Sequence, residues 1–98
     1  MSYVRIGTFQ AKPDQIDELI AIFEREVQPA MRAAKGNVSA CLLRQHDAPD
    51  TFLACTAWSA REDAEQYEQS GQAAQNVGKL RHAFAGPPKL ATYDGYGS

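Results

Sequence analysis

Three aromatic side chains and one arginine are the residues of this 98-residue chain best suited to chemistry. Arg5 sits in an apolar, strand-like run, and a guanidinium in such a run is seldom left unpaired. It would hold a carboxylate or enolate oxygen of a ligand, or it would close an ion pair with Asp94 or with a carboxylate of a second subunit. Trp58 and Tyr67 lie at the end of one strand and in the helix that follows. A tryptophan wall with a phenol opposite would suit a flat aromatic ligand, stacked on one and hydrogen-bonded to the other. The same two side chains would serve equally as core filling. Phe23, on the inner stripe of the first helix, is a further apolar candidate for lining a ligand site.

Other reactive residue types point to less. His46 falls in a connection and His82 in a basic helix end, contexts in which a histidine is solvated, and nothing makes the two a metal pair. Cys41 and Cys55 come from neighbouring strand-like runs, so a bridge between them is geometrically conceivable. No export signal precedes them, and the expected state is two free thiols of a cytoplasmic protein. Their spacing lacks the companion ligands of a zinc site. No phosphate-binding glycine loop, H-E-x-x-H, G-x-S-x-G or C-x-x-C occurs, so nucleotide, zinc and serine-hydrolase chemistry find no support.

The elements that must position these residues follow from pattern. Tyr3–Phe9 is rich in β-branched and aromatic residues and reads as a strand. Pro13, with Asp14 and Asp17 behind it, opens a helix. Ile16, Leu19, Ile20, Phe23, Val27 and Met31 then recur at helical steps. Pro29 removes a backbone donor, which predicts a kink near Arg25-Glu26, and Gly36-Asn37 ends the helix. Val38–Gln45 and Thr51–Trp58 read as a hairpin joined by His46–Asp50. Ser59 is the expected N-cap of a second helix, with Glu62-Asp63 in its first turn and an interruption at Ser70-Gly71. Ala64, Tyr67, Gly71, Ala74, Val77 and Leu80 would form its inner face. Side chains that small mean either close approach to the sheet or a cavity. Gly86-Pro87-Pro88 stops this helix, and Leu90–Tyr96 is a last strand.

The order β-α-β-β-α-β predicts an α+β, ferredoxin-like fold over residues 1–98, a single domain. Four antiparallel strands would carry two helices on one face, with the first strand central. The strands do not alternate cleanly: Ala40 to Leu43 and Phe52 to Ala57 place apolar groups on both faces. Two helices cover one face, so a second copy is expected to bury the other, giving a homodimer. Ten Lys+Arg against 12 Asp+Glu, a net charge of −2, argue against a nucleic-acid partner. No apolar run reaches the roughly 18 residues of a membrane helix.

Several segments, taken in order, resemble the antibiotic biosynthesis monooxygenase (ABM) family of dimeric α+β barrels. They are Gln28-Pro29-Ala30-Met31, Lys35–Val38, Asp47–Phe52, Trp58-Ser59 and Gly86–Leu90. The resemblance implies a homodimer whose sheets meet, with a ligand cleft between sheet and helices in each subunit. It also implies, as in some members, oxygenation of a small aromatic, quinol-like or polyketide-like metabolite without metal or flavin, because an electron-rich phenolate itself reacts with O₂. In that reading Trp58 is a wall, Tyr67 a proton donor and Arg5 an anion anchor. Many members carry a histidine at the position of Tyr67, and a phenol is a poor base at neutral pH but an adequate acid. Gly7, Trp58 and Val77 stand near the points where haem-degrading relatives carry an asparagine, a tryptophan and an iron-ligating histidine, so haem degradation is not expected. The competing reading is a non-catalytic homodimer that binds a small molecule or a protein.

Overall fold

Sheet pairing sets the frame of the computed structural model, which describes residues 1–97. Strands β1 (Ser2–Gln10), β2 (Asn37–Arg44), β3 (Thr51–Trp58) and β4 (Lys89–Gly95) form one antiparallel sheet in the order β2-β3-β1-β4. The ferredoxin-like arrangement is therefore as expected, with β1 central. Predicted strand ends shift by one residue at β1, β2 and β4, and β3 has the predicted bounds. A bulge at Val38 lets Asn37 and Ser39 pair with Trp58 and Ala57 in succession.

The first helical segment opens with a 3-10 turn at Pro13–Gln15 and continues as α1 (Ile16–Ile22). The kink predicted from Pro29 takes the form of a π-helical turn over Phe23–Val27, followed by α2 (Gln28–Ala33). There the Gln28 N–H reaches back five residues to the Phe23 carbonyl. Pro29 consequently falls in the first turn of α2, where its missing donor has no helical acceptor to serve. Only Gly36 of the expected Gly-Asn terminator takes a positive φ, +80°, because Asn37 already belongs to β2. A Cβ on Gly36 would run into the Asp63 carboxylate, so glycine is required twice over.

Helix α3 (Arg61–Gln69) begins later than predicted. Its N-cap is Ala60, and Ser59 makes no capping bond. Ser59 instead extends the strand: its N–H bonds the Gly36 carbonyl at 2.9 Å, which postpones the helix start. Its hydroxyl lies 3.4 Å from Asp63 Oδ2. The interruption at Ser70-Gly71 is present, with Gly71 at φ +90° leading into α4 (Gln72–Leu80). This left-handed residue resets the helical phase. The buried residues of α4 are Asn76 and Leu80, and Ala74, predicted to face inward, is exposed.

All helices lie on the face formed by the odd-numbered residues of β1. Beneath α1 and the π turn, Phe9, Phe52, Leu19, Phe23 and Val27 form one buried cluster. The Phe9 and Phe52 rings stack 5.8 Å apart. A second, smaller cluster of Trp58, Ala64 and Tyr67 sits beneath α3. The other sheet face carries rows set by the register, such as Cys41-Cys55-Ile6-Ala91 and Leu43-Leu53-Thr8. Nothing among the described residues covers it, and Leu43 and Tyr93 are about half exposed. Both cysteines are free. Burial and the neighbouring Cys41 push the Cys55 thiol up to about 11. No helix among the described residues is long and apolar enough to cross a membrane.

Candidate functional site

Strand alternation decides where Arg5 points. Residues Tyr3, Arg5, Gly7 and Phe9 share the helix-covered face, because Phe9 lies in the core there. Within the chain the arginine is paired with Glu68 rather than Asp94: its guanidinium meets Glu68 Oε2 of α3 at 3.0 Å. Its side chain is 11% exposed and Glu68 is 57% exposed, so the pair stands at an opening. The Arg5 guanidinium carbon also lies 5.9 Å from the centre of the Tyr67 ring, within cation–π range.

Trp58 and Tyr67 do come together, with ring centres 4.9 Å apart. Their roles differ. Trp58 is fully buried, and its indole N–H is satisfied internally by the Thr56 hydroxyl at 2.9 Å. It backs the phenol rather than walling a cavity. Tyr67 is 5% exposed and accepts a hydrogen bond at 2.8 Å from the amide of Asn76, itself buried. The hydroxyl makes no other hydrogen bond among the described residues, so its own proton has no protein acceptor. Burial raises the phenol above its ordinary value, and the Asn76 hydrogen bond and the Arg5 charge pull the other way.

A cleft opens beside these groups, between α4 and the β1–β4 side of the sheet. Its outer part holds about 290 Å³, bounded by Gly7, Ala73, Ala74, Val77 and Leu90 with charged residues at the rim. Its inner part is a narrow space of about 80 Å³ that reaches Tyr67, Thr56, Ala54 and Met31. Arg5, Gly7, Ala73, Val77 and Leu90 border both parts, which are therefore continuous. The small residues of the second helix thus leave a cavity. Gly7 contributes directly, since a Cβ there would meet nothing within 4 Å.

Phe23 is not part of this cleft. It lines a separate groove of about 410 Å³ between the π turn and β2, with Ile20, Gln28, Leu42 and Phe52. That groove is larger, yet it contains no buried polar group positioned to transfer a proton. Tyr67 is therefore the candidate for proton transfer. His46 is exposed, and His82 lies 3.6 Å from Glu18 on the outer surface. Sequence reasoning missed Asn76, Glu68 and Gly7 as contributors. The signal for Asn76 was available: with the phase restarted at Gly71, Ala73, Asn76, Val77 and Leu80 share one stripe, and a lone amide on such a stripe needs a partner.

Comparison with known proteins returns one family and one fold. The family model described as antibiotic biosynthesis monooxygenase matches residues 2–78. A search of curated proteins by sequence returned no significant match. Among solved structures, a protein of Nitrosomonas europaea assigned as an antibiotic biosynthesis monooxygenase superposes with a TM-score of 0.80 at 22% identity, covering 97% of this chain and 90% of that one. SnoaB, a cofactor-independent oxygenase from Streptomyces nogalater, gives 0.80 at 14% identity over 99% and 95% of the two chains. A conserved protein from Methanosarcina mazei gives 0.80 at 12% over 95% and 91%. At these identities the likeness is one of fold.

Proposed function

The chain belongs to the antibiotic biosynthesis monooxygenase family, and from that premise we propose that it is a cofactor-independent monooxygenase of small aromatic, quinol-like metabolites. It acts as a cytoplasmic homodimer joined through the uncovered sheet faces. The observation that carries the reading is the Tyr67 hydroxyl, held as an acceptor by Asn76 with its proton uncommitted at the inner end of an apolar cleft.

The chemistry asked of these residues is modest. A phenolate-type substrate gives an electron to O₂, and recombination forms a carbon–oxygen bond. The resulting hydroperoxide loses water, so a CH₂ carbon and O₂ become a carbonyl and H₂O. Tyr67 supplies the proton that leaves with the distal oxygen, and the substrate carbon returns one through solvent. The raised phenol suits this role, being protonated throughout the neutral range. Arg5 stabilises the developing anion beside the tyrosine ring. The apolar walls keep water from the reduced oxygen species.

Oxygen uptake with a hydroquinone panel tests the reading. Tyr67→Phe is expected to lower turnover by about 10²-fold while circular dichroism and oligomeric state stay as in the wild type. Uptake by the wild type no faster than the uncatalysed rate would overturn it. A second reading, a ligand-binding homodimer without turnover, draws on the same phenol. No free base lies beside Tyr67, since Glu68 is engaged by Arg5. Tight binding of quinols without O₂ consumption would establish that reading instead.

A further inference from the structure

Thr56 stands at the inner end of the cleft with no task in the oxygenation chemistry described above. It is 4% exposed, shares its sheet face with Ala54 and Trp58, and borders the inner space beside Tyr67. Its hydroxyl oxygen accepts the Trp58 indole N–H at 2.9 Å, and its own proton has no acceptor among the described residues. This repeats the state of Tyr67, whose oxygen accepts from Asn76. A hydroxyl that already accepts a hydrogen bond is polarised into a better donor. Buried polar groups are ordinarily paired, so an uncommitted O–H beside open space calls for a partner from outside the chain. The polar side chains bordering the inner space are Arg5, Thr56 and Tyr67, and all three are donors. No carboxylate and no imidazole borders it.

We infer that the cleft takes its substrate as an already formed phenolate or enolate, and that Thr56 anchors the oxyanion through its hydroxyl. The inference rests on the reading of this cleft as the substrate site. Three donors without a base can hold an anion and cannot make one. Glu68, the carboxylate of the outer rim, is held by Arg5 at 3.0 Å and does not border the inner part. A neutral phenol in that space would bring a further proton to groups that already offer protons, and would lose the water that accepted it. An oxyanion needs only donors. The favoured substrate is therefore a phenol or enol acidified by a conjugated carbonyl, which gives its proton to solvent before it enters. With Thr56 on the substrate oxygen, the Tyr67 proton stays available for the peroxide, so the two hydroxyls serve two different oxygens.

Absorbance titration of the full chain with 7-hydroxycoumarin tests this, because its phenol and phenolate absorb at different wavelengths. The methyl ether, 7-methoxycoumarin, supplies the same frame without an ionisable group. On the wild type the bound hydroxyl is expected to ionise about one pH unit lower than in water, a tenfold preference for phenolate over phenol. Thr56→Val keeps the side-chain shape and should cut that preference to about twofold, whereas Thr56→Ser should retain it. The methyl ether should bind all three proteins alike. The valine also leaves the Trp58 indole without its acceptor, so circular dichroism checks the fold. Should it not fold, Thr56→Cys, a weak donor of similar size, replaces it with the same loss expected. An unshifted or raised ionisation of the bound coumarin overturns the inference, as does a preference that survives loss of the hydroxyl, or no coumarin binding at all. Phenolate preference without O₂ uptake on any phenol would leave this inference standing and remove the oxygenase reading. Uptake without the preference would do the reverse.

Discussion

The two ends of the helix-covered sheet face are built by opposite means. Toward α1 and the π turn, Phe9, Phe52, Leu19 and Val27 pack into a buried cluster, with Leu19 and Val27 at zero exposure and the open groove confined to its β2 side. Toward α4, the facing residues are Gly7, Ala54, Ala73 and Val77, and they leave a continuous cleft. Both halves share one sheet and one set of strand pairings, so the difference comes from side-chain volume alone. A chain of this size has few places to gain stability from burial. It concentrates them in one half and leaves the other free to hold a ligand. Trp58 lies at the opposite end of β3 from Phe52, beyond Ala54 and Thr56, with its ring tilted against that of Tyr67.

If the filled half is where stability resides, truncation there should be the most damaging single change. Phe52, 1% exposed and stacked against Phe9, is the sharpest case. Phe52→Ala is expected to cost about 3–5 kcal/mol, read as a fall in the urea midpoint with little change in slope. Quinol binding at temperatures where the variant stays folded should be almost unchanged. A comparable loss of ligand affinity would mean that the halves are coupled, and the contrast drawn above would fail.

A smaller effect is expected where the two designs meet, at Asn76. Its amide stabilises the ionised form of Tyr67 relative to the neutral phenol, in opposition to burial. Asn76→Ala removes that help, so the phenol should titrate at still higher pH. The sign for stability follows. A phenol raised in the folded state ionises first in the unfolded chain, so stability is complete below the ordinary tyrosine value of ~10 and falls as pH rises through the folded value. In Asn76→Ala this alkaline loss should be steeper and extend further, on top of about 1–2 kcal/mol lost at neutral pH with the hydrogen bond. Ultraviolet difference titration, with Tyr67→Phe to assign the signal among the tyrosines, reads the shift. An unmoved Tyr67 titration would show that Asn76 is merely structural.

Much of this arrangement is legible in the residues, and the rest depends on facts that single positions do not carry. Thr51–Trp58 is read with its true bounds because its β-branched and aromatic run is closed by Asp50 on one side and Ser59-Ala60 on the other. The break at Pro29 is equally visible, since a missing donor has only a few outcomes, of which the π turn is one. Partner choice is harder. Glu68 rather than Asp94 meets Arg5 because α3 crosses β1, a tertiary placement that no local spacing encodes. Trp58 and Tyr67 meet as expected, yet which of them borders open space depends on Thr56 satisfying the indole. Phe23 carries the inner-stripe signature of a lining residue, but its groove lies against β2 and shares no lining residue with the cleft that reaches Tyr67. The stripe on α4 is misplaced because a left-handed Gly71 restarts the helical count, and periodicity carried across such a residue points to the wrong side.

The smallest expected change tests the cleft where it is narrowest. Gly7 sits in the middle of a central strand, where glycine ordinarily weakens the sheet by about 0.5–1 kcal/mol relative to alanine. Its backbone needs no positive φ, and a Cβ would meet no atom within 4 Å. Neither strain nor crowding within the chain therefore explains its presence. What a methyl group at this position would occupy is the cleft itself, since Gly7 borders both its inner and outer parts. Gly7→Ala should accordingly leave stability unchanged or raise it by up to about 1 kcal/mol, while binding of a naphthol-sized ligand falls severalfold. Stability and binding moving in opposite directions is the signature of a residue kept small for a ligand. If alanine raises stability and leaves affinity untouched, the ligand stays in the outer part, beyond the reach of Tyr67, and proton donation by that phenol is excluded.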